Sequence, residues 1–134
     1  MKLGKVIEYI DAIKASPYDD QIKTFWISSL DGIVHKQVFA AEEEFCGYLW
    51  PRDEERELLV KAPFDDIYWK YVCAMIDYVN KEYDAYNNAM ILFNEAFSEM
   101  KRQYRKDHVP AVQAYIRTEG GDRGEITQTQ SDKP

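Results

Sequence analysis

Histidine, cysteine and glycine are all scarce in this 134-residue chain, and each scarcity removes a class of chemistry. His35 and His108 are the only histidines. Neither belongs to a Glu-x-x-His or His-x-x-x-His pattern, so a helical-bundle di-metal site lacks its ligands. Cys46 and Cys73 lie far apart, with no metal-ligand spacing and no base partner nearby in sequence. They read as free structural thiols of a reducing compartment rather than as a disulfide or a nucleophile. The six glycines form no phosphate-cradling loop, and Gly120-Gly121 falls in a polar tail. Asp65-Asp66 is an adjacent carboxylate pair, but a helix N-terminus accounts for it better than acid–base catalysis does. No catalytic constellation and no cofactor are expected. The chain has no apolar run of about 18 residues and no basic–apolar–small leader, so neither a membrane span nor a signal peptide is expected. Positive charge is also in deficit. Seventeen Lys and Arg against 24 Asp and Glu leave a net −7. Such a chain does not wrap nucleic-acid phosphates by bulk charge, although it suits a conduit through which a polyanion passes without adhering.

Apolar material is ample. The chain is 46% hydrophobic and 14% aromatic, with ten tyrosines, which supports one globular domain. The longest ordered pattern is Tyr83, Tyr86, Met90, Phe93, Phe97, Met100 and Tyr104. Steps of three and four residues place these side chains on one helical face. No Gly or Pro interrupts 82–107, a length of roughly 39 Å at about 1.5 Å per residue. Asn87 and Asn88 sit mid-helix, either in solvent or with one bonded across to a neighbouring helix.

Three further helices precede this one. Residues 2–15 place Leu3, Val6, Ile7, Ile10 and Ile13 on one face, and Ser16-Pro17 ends the run. Asp19-Asp20 opens a second helix with Ile22, Phe25, Trp26, Leu30, Ile33, Val34 and Val38 as its apolar set. Gly32 inside it points to close packing or a bend. Pro63-Phe64-Asp65-Asp66 starts a third helix, with Ile67, Tyr68, Tyr71, Val72, Met75, Ile76 and Val79 apolar. Only Asp66, Lys70, Asp77 and Lys81 interrupt that surface, which predicts a central helix buried on several sides. A tight turn near Asn80 then gives an antiparallel hairpin.

The expected fold is therefore all-α. It is a small bundle of four main helices with a hairpin of about 65–80 and 82–107, a long loop 40–63 and an extended C-terminal arm. Residues 1–117 form the helical domain and 118–134 the arm, with a short helix possible over 109–116. The expected core is Phe93, Phe97, Met90, Tyr86, Met75 and Val72. The loop is either a surface excursion pinned by Phe45, Leu49 and Trp50 or a contact arm for a neighbouring subunit. Lys101, Arg102, Arg105 and Lys106 either complement a helix dipole or anchor an acidic patch on a partner; Tyr104 among them leaves nucleic acid open.

The run from Leu58 to His108 resembles the helical head–tail connector proteins of tailed bacteriophages and prophages, also called head-completion or adaptor proteins. The residues carrying the resemblance are Pro63, Tyr68, Tyr71, Met75, Ile76, Asp77, Tyr78, Asn80, Glu82, Tyr86, Asn87, Asn88, Phe93 and Asn94. Trp26, Leu30, Asp31 and Gly32 add a shorter match. Where that family often has Gly after the turn Asn, this chain has Lys81. The resemblance implies a structural, non-enzymatic virion protein at the head–tail interface, assembled in the cytoplasm of a bacterial host. Copies would form a ring, a dodecamer by resemblance, under a portal protein. The ring would extend the DNA channel without sequence-specific binding and present a surface to the next tail-side connector or stopper protein. In that setting Glu42, Glu43, Glu44, Asp53, Glu54 and Glu55 are expected to face the channel. Lys101, Arg102, Arg105, Lys106 and Ile126 are expected to contact partners. Residues 118–134 are either an arm that docks on a neighbour through the alternating Glu125–Thr129 segment or a solvated tail. The competing reading is a small helical interaction or nucleic-acid-binding regulatory module.

Overall fold

The structure, a computed structural model, describes residues 1–108. The short helix at 109–116, the arm at 118–134, the boundary between the expected domains and Ile126 all lie outside the described residues. The chain divides into a unit over Met1–Lys101 and a second over Arg102–Pro134, whose described part is the end of the last helix. The described residues are all-α: α1 (Leu3–Ile13), α2 (Asp20–Ile33) continued by a π-helical turn (Val34–Val38), α3 (Asp66–Val79) and α4 (Tyr83–His108).

The helix starts of α1 and α2 are capped in different ways. The α1 N–H groups of Leu3 and Gly4 donate to the carbonyls of Arg56 and Glu54, at 3.0 and 2.8 Å. Loop backbone thus caps a helix start that has no side-chain cap of its own. The Leu58 N–H donates to the Met1 carbonyl at 3.1 Å, and Lys2 and Glu57 form an antiparallel bridge. At α2 the Asp19 side chain accepts from the Ile22 N–H at 3.0 Å, the cap its sequence predicts.

The turn after α3 is a left-handed helix ending. Lys81 holds φ at +63°, Glu82 N–H donates to the Asp77 carbonyl at 2.9 Å, and Lys81 N–H to the Tyr78 carbonyl at 3.0 Å. Asn80, at φ −80°, is not the left-handed residue. The hairpin therefore forms with Lys81 in the place that glycine would occupy at least cost.

The core brings α1, α2 and α3 together: α3 packs against both of the others. Leu3, Ile10, Ile27, Val34, Ile67, Tyr68 and Val72 are fully enclosed. The hairpin adds a third neighbour to α3, with the Tyr71 and Phe93 rings 5.2 Å apart and those of Tyr78 and Tyr86 5.1 Å apart. The central helix and the antiparallel hairpin are thus as expected.

Several expected placements are corrected. In α2, Ile22, Phe25 and Ile33 face outward, Phe25 being 66% exposed, while Lys23, Thr24, Ile27 and Asp31 join Trp26 and Leu30 inside. The buried face is rotated because two of its charges have partners within the fold. Lys23 bonds to Asp11, and Asp31 has the partners described below. Ile13 of α1 is exposed. Asp77 is buried, paired with Lys14 at 2.8 Å, and does not belong to a solvent-facing polar stripe. On α4 only Phe93 and Met100 are buried; Tyr86, Met90 and Phe97 are half-buried and Tyr83 is exposed. Of the expected core, Phe93 and Val72 are buried, Met75, Met90 and Phe97 are half-buried against it, and Tyr86 is half-buried beside Tyr78.

Candidate interaction surfaces

The most constrained chemistry lies inside the fold, at Asp31. Its carboxylate is fully buried. Oδ2 accepts from the Tyr48 hydroxyl at 2.6 Å and from the Leu59 N–H at 3.1 Å; Oδ1 accepts from the Tyr68 hydroxyl at 2.6 Å. The Tyr68 oxygen in turn accepts from the Val60 N–H at 2.8 Å. A residue of α2 therefore ties both limbs of the long loop to α3. Burial pushes the Asp31 carboxyl above the ordinary carboxylate range, against the opposing effect of its hydrogen bonds. Burial, and then the nearby Asp31 charge, pushes both tyrosine hydroxyls up as well.

Beside this node the loop has a second anchor. Tyr48 N–H donates to Ser28 Oγ at 3.0 Å. Gly47 precedes it at φ +80°, and a Cβ there would lie 2.7 Å from Ser28 Oγ, so both conformation and space require glycine. Phe45 packs edge-on to Tyr48 at 5.4 Å. Trp50 and Phe45 are half-buried as expected of pins, but Leu49 is 58% exposed and Tyr48 takes the buried place instead.

The acidic residues assigned to a channel separate into two groups. Glu42, Glu43, Glu44, Glu54 and Glu55 are exposed, with Glu55 paired to Lys2 at 2.9 Å. Asp53 is buried: it accepts from the Leu49 N–H at 2.8 Å and pairs with Arg52 at 2.9 Å and Arg56 at 3.5 Å. Those partners, Arg52 first, hold its carboxyl below the usual range. Asp53 is thus committed to the loop's own geometry and is withdrawn from the channel-facing set.

A cleft of about 410 Å3 lies between α1 and the loop, lined in part by Lys2, Glu8, Asp11, Trp50 and Glu54. Most of its charges pair locally: Lys2 with Glu55, Lys5 with Glu8 at 3.6 Å, and Asp11 with Lys23. Cys46 is exposed and Cys73 half-buried, both as free thiols, with burial raising the pKa of Cys73. Among the described residues no three of His, Cys, Asp and Glu are placed to hold a metal ion. No described helix is long and apolar enough to cross a membrane.

The expected partner residues on α4 are accessible. Arg102, Arg105 and Lys106 are exposed, and the Lys101 ammonium sits 5.1 Å from the centre of the Phe97 ring. Apolar side chains also reach solvent on α2 and α4: Phe25 at 66% exposure, Ile91 at 57% and Leu92 at 56%. The Asp31 node was not singled out as a site from sequence. Its signals in the sequence were an acidic residue next to Leu30 and the presence of both Asp31 and Tyr68 among the resembling residues. Compared with protein-family models, curated proteins and solved structures, the chain finds no match.

Proposed function

We propose that the protein is a structural connector of a phage-type head–tail interface. It would form a ring under a portal protein, lengthen the DNA channel and offer its far side to the next tail component. The observation that carries this reading is where the resembling residues fall. From Asp66 onward the longer stretch folds as the α3–α4 hairpin, and the shorter one lies on α2. The two are joined directly by the Tyr68–Asp31 bond of 2.6 Å. Residues that share one buried node explain why two separated stretches would resemble one family together. The exposed Phe25, Ile91 and Leu92 support it further, because large apolar side chains on outward faces are suited to burial between copies. In such a ring the exposed Glu42, Glu43, Glu44, Glu54 and Glu55 are the candidates for a channel wall that repels DNA.

Negative-stain imaging of the protein mixed with candidate portal tests the proposal. Rings stacked on the portal are expected. A monomer or dimer indifferent to every portal would overturn it and favour the regulatory module, for which the exposed Arg105 and Lys106 are the specific support. That module predicts strongly salt-dependent nucleic-acid binding lost on reversing both charges. Truncation after Arg117 separately tests the arm: an unchanged melting temperature with weaker portal attachment is expected, and normal attachment would eliminate it.

A further inference from the structure

We propose that the α3–α4 turn is a self-association surface that receives the basic C-terminal turns of α4 from a second copy of the chain. This deepens the connector reading, and rests on it for ring closure. At the turn, Tyr78 is 49% exposed, Val79 39% and Tyr83 52%. The Tyr78 ring lies 5.9 Å from Tyr83 and 5.1 Å from Tyr86, so three tyrosines form one continuous patch. The patch stands on a fixed base. The left-handed Lys81 closes the turn, and the Tyr18 hydroxyl donates to Asn80 Oδ1 at 2.6 Å. Clustered tyrosines are effective anchors because they present large area with few rotatable bonds.

The chemistry of the patch selects a cationic occupant. Exposed Glu82 and Asp84 flank the rings. Exposed Lys81 opposes them, so charge alone does not fix the pairing. Guanidinium and ammonium groups attract aromatic faces as well as carboxylates. The last turn of α4 supplies both groups, Arg105 and Lys106, exposed. The two patches share no residue: Tyr83 begins α4, and Arg105 and Lys106 belong to its last turn. A contact between unlike patches is heterologous, so copies add head to tail and close into rings or extend as filaments.

Sedimentation velocity of the full chain, from micromolar to millimolar concentration at low and high salt, tests the contact. Assembly should grow with concentration and weaken with salt. Tyr78→Ser with Tyr83→Ser, and separately Arg105→Glu with Lys106→Glu, should each weaken it by about tenfold or more. Both variants should keep the wild-type circular dichroism; the Arg105 and Lys106 changes should also keep the melting temperature, since those side chains are exposed, whereas the tyrosine changes should lower it through the lost Tyr78–Tyr86 contact. Mixed in equal amounts, the two variants should form dimers that grow no further, because each retains one working patch. Monomeric wild type throughout, or variants that assemble as wild type does, would overturn the contact. Portal-bound rings formed equally by both variants would overturn it while leaving the connector reading intact. Salt-sensitive head-to-tail pairing of free copies, with no ring on any portal, would do the reverse.

Discussion

Deleting the Tyr68 hydroxyl should cost more than deleting the Tyr48 hydroxyl, although both donate to Asp31 at 2.6 Å. The difference lies in what each deletion strands. Tyr48→Phe removes one bond from Oδ2, which still accepts from the Leu59 N–H at 3.1 Å. A hydrogen bond to a charged group contributes about 1.5–3 kcal/mol, and that is the expected loss. Tyr68→Phe removes the bond to Oδ1 and also the acceptor of the buried Val60 N–H, 2.8 Å away. A buried donor left unsatisfied adds about 1–3 kcal/mol, so the total is about 2.5–6 kcal/mol. Against a total stability of about 5–15 kcal/mol, the second variant is severely weakened and the first is not. Urea unfolding followed by circular dichroism measures both, and unchanged m-values would show that only stability moved. Equal losses, or a Tyr68→Phe loss below about 1 kcal/mol, would refute the account of Asp31 as the point where loop and helices join.

Three other outcomes follow from the same geometry. Lys81→Gly should raise the unfolding free energy by about 1 kcal/mol, because glycine relieves a left-handed conformation that costs other residues about 1–2 kcal/mol; an unchanged or lowered unfolding midpoint would contradict the turn. Phe93→Ala should cost about 3–5 kcal/mol, since Phe93 is buried against Tyr71 and stacks on Phe97 at 5.4 Å; a nearly unchanged melting temperature would remove the hairpin from the core. Asp31→Asn should change the pH dependence in a defined direction. Asp31 binds its proton more tightly folded than unfolded, so its contribution to stability falls as pH rises from its ordinary value of 3.8 through its raised one. The stability of wild type relative to Asp31→Asn, from urea midpoints across that window, should fall as pH rises; a difference that is flat or rises would show that Asp31 is not desolvated.

The helices were legible because their signals are local. Asp19 caps α2, Ser16-Pro17 follows α1, and the tyrosine–methionine–phenylalanine spacing runs through α4. What was not legible was phase. Ile22, Phe25 and Ile33 satisfy a helical period with Trp26 and Leu30, yet α2 buries Lys23, Thr24 and Asp31 in preference to them. Hydropathy counts a lysine or aspartate as outward-facing. A buried charge is tolerable once it has partners, and those partners lie elsewhere in the chain: Asp11 for Lys23, Tyr48 and Tyr68 for Asp31. Asp77, paired with the distant Lys14, was misplaced for the same reason; Asp53 was misplaced although its partners Arg52 and Arg56 are sequence neighbours, because its carboxylate also accepts from the Leu49 N–H.

That principle also decides what the long loop is. Its Tyr48, Leu58 and Val60 side chains are buried, and its carbonyls at Glu54 and Arg56 cap α1, so removing this part would strip a helix start as well as a patch of core. Its Glu42, Glu43, Glu44, Cys46 and Leu49 remain exposed. The surface-excursion and contact-arm readings are therefore not rivals over the whole loop. The Asp31 node and the α1 cap fix one set of residues, and only the other set is free to meet a neighbour. Any partner contact by the loop must be made by side chains presented between its anchors, on a backbone already held to α1 and α2 before the partner arrives. Such a surface binds without the cost of ordering a free loop, about 1–2 kcal/mol of backbone entropy per residue. This is why substitutions at the exposed Glu42–Glu44 should leave the unfolding midpoint in place, whereas substitutions at the buried Tyr48 or Leu58 should lower it.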